Sequence, residues 1–170
     1  ATVMDILKKF ITKIDKGIER ATALGGGLVP TYFTFEATEW EYIKNPDGSI
    51  KLNRHGRECV RVLKFEARPV THYLEGPVKA IKLSKDQQSA KEIYDKVRAS
   101  ELFDRKLKMY KTNAPLTNES MELGRGRAFT PGWLENESVF THMEYKYILE
   151  VLKAGLCDEF FSDMKNVLVP

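Results

Sequence analysis

From Val3 to Leu24 an apolar residue returns every third or fourth position: Val3, Leu7, Phe10, Ile14, Ile18, Ala21 and Leu24. That spacing predicts a single amphipathic helix over 3–24, with Lys8, Lys9, Lys13, Lys16 and Arg20 mostly off the apolar stripe. Gly25-Gly26-Gly27 ends it, because glycine enters the left-handed conformation without steric cost. Gly17 costs the helix about 1 kcal/mol relative to alanine, which predicts a close helix contact at that point.

The pattern then changes period. Residues 31–43, Thr-Tyr-Phe-Thr-Phe-Glu-Ala-Thr-Glu-Trp-Glu-Tyr-Ile, are rich in aromatic and β-branched side chains, and Asn45-Pro46-Asp47-Gly48 supplies turn chemistry. A second run over 58–70 alternates Arg61, Leu63, Phe65 and Ala67 against Val60, Val62, Lys64 and Glu66. The apolar face of the first run switches near Ala37, as a bulge or a change of packing partner would make it do. The expectation is an antiparallel sheet with one wet face. The alternative is a sugar-binding aromatic platform made by Tyr32, Trp40 and Tyr42.

After Gly76-Pro77 the helical period returns. Ser84 and Gln87 are spaced for a capping box, and Ala90, Ile93, Tyr94 and Val97 form an apolar face running to about residue 100. The stretch 102–123 is ambiguous and is broken at Asn113-Ala114-Pro115, and 124–132 is a loop by composition. Residues 139–153 read as a helix, and Gly155 separates it from a last helix over 158–168. The resulting organisation is a helix over 1–29, an antiparallel β insertion over 30–74 and a helical segment over 75–170.

Composition narrows the class. The chain has 170 residues, 42% of them hydrophobic and 30% charged, enough to bury the core of one domain. The 27 Lys and Arg against 24 Asp and Glu give a net +3, too small and too interspersed for a nucleic-acid partner. No run is long enough for a membrane span and no signal-peptide pattern opens the chain. Cys59 and Cys157 match no metal or redox spacing and read as reduced thiols of a cytoplasmic protein. The start at Ala1 and the apolar end Val167-Leu168-Val169-Pro170 lead us to expect a piece of a longer polypeptide.

The chemistry concentrates in 124–142. A glycine-punctuated loop carrying Arg125 and Arg127 runs into Pro131-Gly132-Trp133-Leu134-Glu135-Asn136-Glu137-Ser138, and a helix follows for which Asn136 or Ser138 suits the N-cap. His142 then falls in about the first turn. Unpaired N–H groups and the helix dipole favour an anion there, and nearby guanidinium groups strengthen the pull. Read from the residues alone, Arg125 and Arg127 are equally solvated loop charges and His142 a half-buried, satisfied residue. Glu135 and Glu137 are too close in sequence to span readily the roughly 6.5–9.5 Å between the carboxylates of an inverting glycosidase. No Ser-His-Asp order, phosphate-binding glycine loop or H-E-x-x-H motif is present. His55 and Cys59 lack further ligands, so no metal site is expected.

Pro131-Gly132-x-x-Glu135-Asn136-x-x-Val139-Phe140-x-His142 resembles the signature Pro-Gly-x-x-Glu-Asn-Gly-Gly-(aliphatic)-(aromatic)-x-His of the cellobiose-phosphorylase-type family, inverting disaccharide and oligoglucan phosphorylases built on an (α/α)6 barrel. Flanking segments extend the likeness over 74–170: Leu74-Glu75-Gly76-Pro77, the helix over 86–100, and Leu152 to Phe161 with the closing Pro170. The sequences Arg127-Ala-Phe-Thr-Pro-Gly-Trp-Leu-Glu-Asn-Glu-Ser138 and His142-Met-Glu-Tyr-Lys146 are similar to a large cellobiose-phosphorylase-like branch. The resemblance implies an α+β chain, a partial (α/α)6-type barrel segment with an inserted small antiparallel sheet.

Carried over by position, the resemblance makes His142 a phosphate contact, with Arg125 or Arg127 beside it, and Glu135 and Asn136 the shapers of the sugar-binding loop. Glu137 lines the same loop, and with Ser138 it departs from the family's Gly-Gly, which points to another β-glucoside or to a hydrolase of the same barrel type. The family's general-acid aspartate sits in a Trp-Asn-Asp type segment absent from this chain, so no catalytic residue is assigned here and the chain alone is expected to be inactive. Inorganic phosphate is a co-substrate and no cofactor is implied. The expected partners are an oligosaccharide, phosphate, and either the rest of a parent polypeptide or a second copy. The rival expectation is a non-catalytic carbohydrate-binding or protein-interaction module that works through the sheet and its aromatics.

Overall fold

The computed structural model describes residues 2–168, so the expectation drawn from Val169 and Pro170 lies outside the described residues. The chain is α+β and divides into two compact units, 1–32 with 69–170, and 33–68.

In the larger unit, α1 spans Val3–Leu24 as its period predicts. Its start is fixed by a capping box. The Thr2 hydroxyl accepts from the Asp5 N–H at 3.3 Å, and the Asp5 carboxylate accepts from the Thr2 N–H at 2.9 Å. At the other end Gly26 and Gly27 take φ of 66° and 99°, whereas Gly25 is needed for a different reason: a Cβ there would run into the Leu28 carbonyl oxygen. Gly17 corrects the expectation of a close helix contact, since among the described residues nothing beyond the adjoining turns of its own helix lies within 4 Å of the position its Cβ would take. No residue of α1 is buried, and Val3, Phe10 and Ile14 are 73%, 58% and 59% exposed.

The core lies elsewhere. Helices α2 (Glu75–Lys82), α3 (Gln87–Ala99), α5 (Thr141–Lys153) and α6 (Cys157–Val167) pack α2 on α3, α2 on α5 and α5 on α6. Between them sit Leu74, Ile81, Ala90, Val97, Leu102, Ile148 and Val151, all essentially removed from water. Each fully buried aliphatic side chain contributes about 1.5–3 kcal/mol, so this cluster is the main source of stability. The cap expected at Ser84 is displaced. Asp86 is the N-cap of α3 and accepts from the Ser89 N–H at 2.7 Å, while Ser84 donates to the Ile81 carbonyl at 2.6 Å. Ser84 lies two positions past the end of α2, and its hydroxyl satisfies a carbonyl of that helix's last turn. The ambiguous stretch contains β3 (Phe103–Asp104) and β4 (Met109–Tyr110), a two-residue antiparallel pair, followed by a 3-10 turn at Met121–Leu123 and the short α4 (Arg125–Ala128) in place of an irregular loop.

Polar groups enter this core in one place. Asp163 of α6, fully buried, accepts from Tyr110 at 2.8 Å, from Tyr94 at 3.2 Å and from the Arg98 guanidinium at 2.7 Å. Glu144 of α5, also fully buried, accepts the Tyr110 N–H at 2.8 Å through Oε1, while its Oε2 and the Tyr147 hydroxyl have no hydrogen-bond partner. Burial raises the Asp163 pKa against its donors, and it lifts Tyr94 to about 12.

The smaller unit is a ribbon of β1 (Phe33–Tyr42) and β2 (Val60–Pro69). The Ile43 N–H donates to the Cys59 carbonyl at 2.9 Å, and the ion pairs Glu41–Arg61 and Glu39–Lys64 cross the strands, which sets an antiparallel register. The chain returns through two turns. Gly48 takes φ 84° in the turn its sequence predicts, and Gly56 takes φ 74° in a second one. The expected division into one wet and one dry face is corrected. Phe35, Trp40, Leu63 and Phe65 are 66%, 50%, 58% and 59% exposed, because a two-stranded ribbon has no second layer of its own to cover either face.

Desolvation raises the Glu144 pKa from 4.5 to about 7, with the Tyr110 N–H opposing it and Asp163 adding to it. A raised carboxyl stabilises most in its protonated form. Its contribution is complete below about 4.5 and is lost as pH rises through about 7, on the order of 3 kcal/mol over that window. Glu144→Gln keeps the acceptor for Tyr110 and cannot ionise. Urea denaturation from about pH 5 to about pH 8 is expected to give a flatter stability profile for the variant than for the parent; equal slopes would refute the assignment.

Candidate functional site

The segment Pro131–Ser138 is a closed loop held by its own backbone. The Gly132 N–H donates to the Asn136 carbonyl at 2.7 Å, and the Asn136 N–H donates to the Trp133 carbonyl at 3.1 Å. The Asn136 amide nitrogen reaches the Phe129 carbonyl at 2.7 Å, and the Ser138 hydroxyl donates to the Leu134 carbonyl. Gly132, Leu134 and Glu137 all have left-handed φ, at 87°, 48° and 58°. Only glycine does this freely; in the other two the conformation costs about 1–2 kcal/mol each and persists because neighbours enforce it.

Those neighbours come from the segment after β4. The Thr112 N–H donates to the Ser138 carbonyl at 2.8 Å, and the Glu137 N–H donates to the Asn113 side-chain oxygen at 3.3 Å. Lys111 pairs with the Glu137 carboxylate at 3.0 Å, with both side chains largely shielded from water. Asn113 is fully buried and pairs in turn with Tyr73 across an isolated bridge, so three segments lie side by side behind the loop.

This use of Asn136 and Ser138 corrects the N-cap expectation. Both side chains are committed inside the loop, and α5 begins later, at Thr141, with Phe140 as N-cap and no side-chain cap bond. The Phe140 carbonyl accepts the Met143 and Glu144 N–H groups at 2.9 and 3.0 Å. The earlier N–H groups of the helix, at Thr141 and His142, have no helical partner of their own. His142 is exposed, its ring tilted 5.8 Å from that of Phe140.

The two arginines part company. Arg125 meets Glu135 at 3.3 Å on the exposed side of the loop. Arg127 donates to the Glu119 carbonyl at 3.0 Å and to the Thr117 carbonyl at 2.6 Å, tying the preceding segment to α4. Among the described residues no hydrogen bond or ion pair joins His142 to either one. The loop brings Arg125 to Glu135 and Glu137 to Lys111. It leaves two buried acceptors, Glu135 Oε2 and Asn136 Oδ1, without a donor.

Sequence reading missed Lys111, Asn113 and Glu119, which support the loop, and Tyr73 behind it. None belongs to a motif, and only the chain's return through 71–74 and 110–119 brings them there. An open apolar cleft between the end of α1 and α2, lined by Ile18, Leu28, Pro30, Tyr32, Leu83 and Ile93, is a further concavity that no motif announces. Among the described residues no group of three or more His, Cys, Asp or Glu is placed to hold a metal ion, and no helix is long and apolar enough to cross a membrane. Compared with protein-family models, with curated proteins and with solved structures, the chain finds no significant match.

The left-handed conformation at Glu137 can be isolated from its ion pair. Glu137→Gly and Glu137→Ala both remove the carboxylate, but only alanine keeps the steric cost. The glycine variant is expected to be the more stable by about 1 kcal/mol, a difference of about 2–4 °C in melting temperature for a chain of this size. Equal melting temperatures would argue against a left-handed residue at this position.

Proposed function

We propose that the chain is part of a carbohydrate phosphorylase, a partial (α/α)6-type barrel segment in which inorganic phosphate attacks the anomeric carbon of a β-glucoside or β-oligoglucan. The observation that carries this reading is the backbone of the Glu137 position. The signature it resembles has glycine there, and this chain adopts the left-handed φ of 58° that glycine supplies, held in place by Lys111 and Asn113. A left-handed residue where the resembled signature has glycine supports a shared loop geometry rather than a chance string of residues.

The chemistry divides cleanly. Phosphorolysis with inversion breaks the bond between the anomeric carbon and the leaving oxygen while a phosphate oxygen bonds to that carbon from the opposite face. The products are an α-sugar 1-phosphate and a shorter sugar. A carboxylic acid must protonate the leaving oxygen, and the residue expected to do so is not in this chain. Phosphate arrives as an anion and needs donors rather than a base. The uncapped start of α5 offers them: N–H groups at Thr141 and His142, the exposed His142 ring, and the positive end of the helix dipole. Arg125 adds a guanidinium at the loop once its contact with Glu135 opens, while Arg127 acts by holding the segment below. A hydrolase of the same barrel type would use this loop with water and a base.

A second reading draws on the ribbon. Trp40 and Tyr42 stack edge to face at 5.2 Å and are 50% and 40% exposed, which suits a non-catalytic carbohydrate-binding or protein-interaction surface.

Phosphate titrated into isotope-labelled chain is expected to shift the amide signals of Thr141, His142 and Met143, and His142→Ala to weaken the effect severalfold. The chain alone should consume no phosphate with cellobiose, laminaribiose or β-1,2-glucobiose. Unmoved signals at the start of α5 would sink the phosphorylase reading, and sugar-induced shifts confined to Trp40 and Tyr42 would favour the module.

A further inference from the structure

Among the described residues α1 is the longest helix, and little of the chain leans on it. Most helical stability in a protein comes from packing an amphipathic face rather than from propensity. The face of α1 is strongly amphipathic, yet none of its 22 residues is buried. Val3, Leu7, Phe10, Ile14, Ala21 and Leu24 share one row, and Gly17 takes the remaining place in it. The intervals alternate strictly between four and three residues, from Val3 through three heptads to Leu24. That period of 3.5 is the seam of paired helices, and it differs from the 3.6 of a helix lying on a flat layer.

Met4, Ile11 and Ile18 widen the row, and the large apolar side chains along it are 38% to 73% exposed. Together they leave on the order of 800 Å² of apolar surface in water, what one partner brings to a stable interface of standard size. The largest patch on a typical single chain is smaller, roughly 300–600 Å². Charge selects the partner. Lys9, Lys13, Lys16 and Arg20 follow one edge of the row, while the opposite edge carries Lys8 near its start and then Asp15 and Glu19. An anionic lipid surface attracts the first edge and repels the two carboxylates of the second. A second copy running parallel suits both, because a two-fold axis along the helices sets the Lys13 and Arg20 edge of one copy against the Asp15 and Glu19 edge of the other. An antiparallel pair sets like against like. Gly17 agrees with a close partner: it weakens the helix, and among the described residues nothing outside its own helix fills the space beside it.

We propose that α1 pairs in parallel with α1 of a second copy of this chain, along the row from Val3 to Leu24. The pairing is independent of the phosphorylase reading, since it draws on no residue of the Pro131–Ser138 loop or of α5.

Sedimentation of the full chain tests this. At about 100 μM, well above the weakest dissociation constant usual for an interface of this size, about 1 μM, the mass of two copies is expected. Leu7→Glu and Ile14→Glu each put a charge into the row and should weaken the pair about a hundredfold. Neither side chain is buried in a single copy, so the near-ultraviolet circular dichroism of the core should stay unchanged. Thr12→Glu, on the face away from the row, should not weaken the pair. Lys13→Glu combined with Arg20→Glu should weaken it about tenfold by facing carboxylates with carboxylates. An antiparallel pair would be indifferent to that reversal, because like would still meet like. A chain that sediments as one copy at the same concentration overturns the proposal, and its capture by phosphatidylserine but not phosphatidylcholine vesicles would give the row to a lipid surface instead. A dimer that survives Leu7→Glu and Ile14→Glu, or that ignores the charge reversal, overturns it equally.

Discussion

One buried carboxylate organises the larger unit. Asp163 sits on the last helix and receives Tyr94 and Arg98 from α3 and Tyr110 from β4, so three segments distant in sequence converge on two oxygens. A charge taken out of water is costly unless its partners are complete, and removing one partner from such a cluster typically costs several kcal/mol. The Arg98 guanidinium also lies over the Phe103 ring at 4.2 Å, joining α3 to the start of the β3–β4 turn. Tyr110 then passes the constraint on: its N–H is bound by Glu144, and its ring packs on Tyr147 at 4.6 Å. Since Glu144 and Tyr147 belong to α5, the cluster fixes the helix that follows the Pro131–Ser138 loop. The residues next along from Tyr110, Lys111 to Asn113, fix the loop itself.

That continuity explains how a loop with two left-handed non-glycine residues keeps one shape. Its strain is borne by a shielded ion pair, a buried asparagine and a chain of backbone bonds, all anchored to a core it does not enter. The first N–H groups of α5 and the unpartnered Glu135 and Asn136 oxygens lie at different parts of this one loop.

Much of the fold was legible because its period is strong. The α1 stripe, the two β runs and the α5 and α6 segments lie where 3.6- and 2-residue spacing put them, to within two or three residues. The misses share a cause. Ser84, Asn136 and Ser138 are good capping residues by type, yet hydrogen bonds to backbone carbonyls three to seven residues back claimed all three side chains. Gly17 and the aromatic ribbon suggested contacts that local sequence cannot supply, because burial depends on which layer lies opposite. The loop was visible as a motif. Its supports were not, since Tyr73, Lys111, Asn113 and Glu119 acquire their roles only through long-range pairing.

The uncovered apolar row of α1 has an energetic corollary. The heat-capacity increment of unfolding tracks hydrocarbon newly exposed to water, and a chain of this size ordinarily shows about 2 kcal/mol/K. In a single copy Val3, Phe10, Ile14, Phe35, Leu63 and Phe65 are wetted before unfolding begins. The increment falls short of that norm, and the free-energy curve against temperature is correspondingly flat, with a broad, shallow maximum.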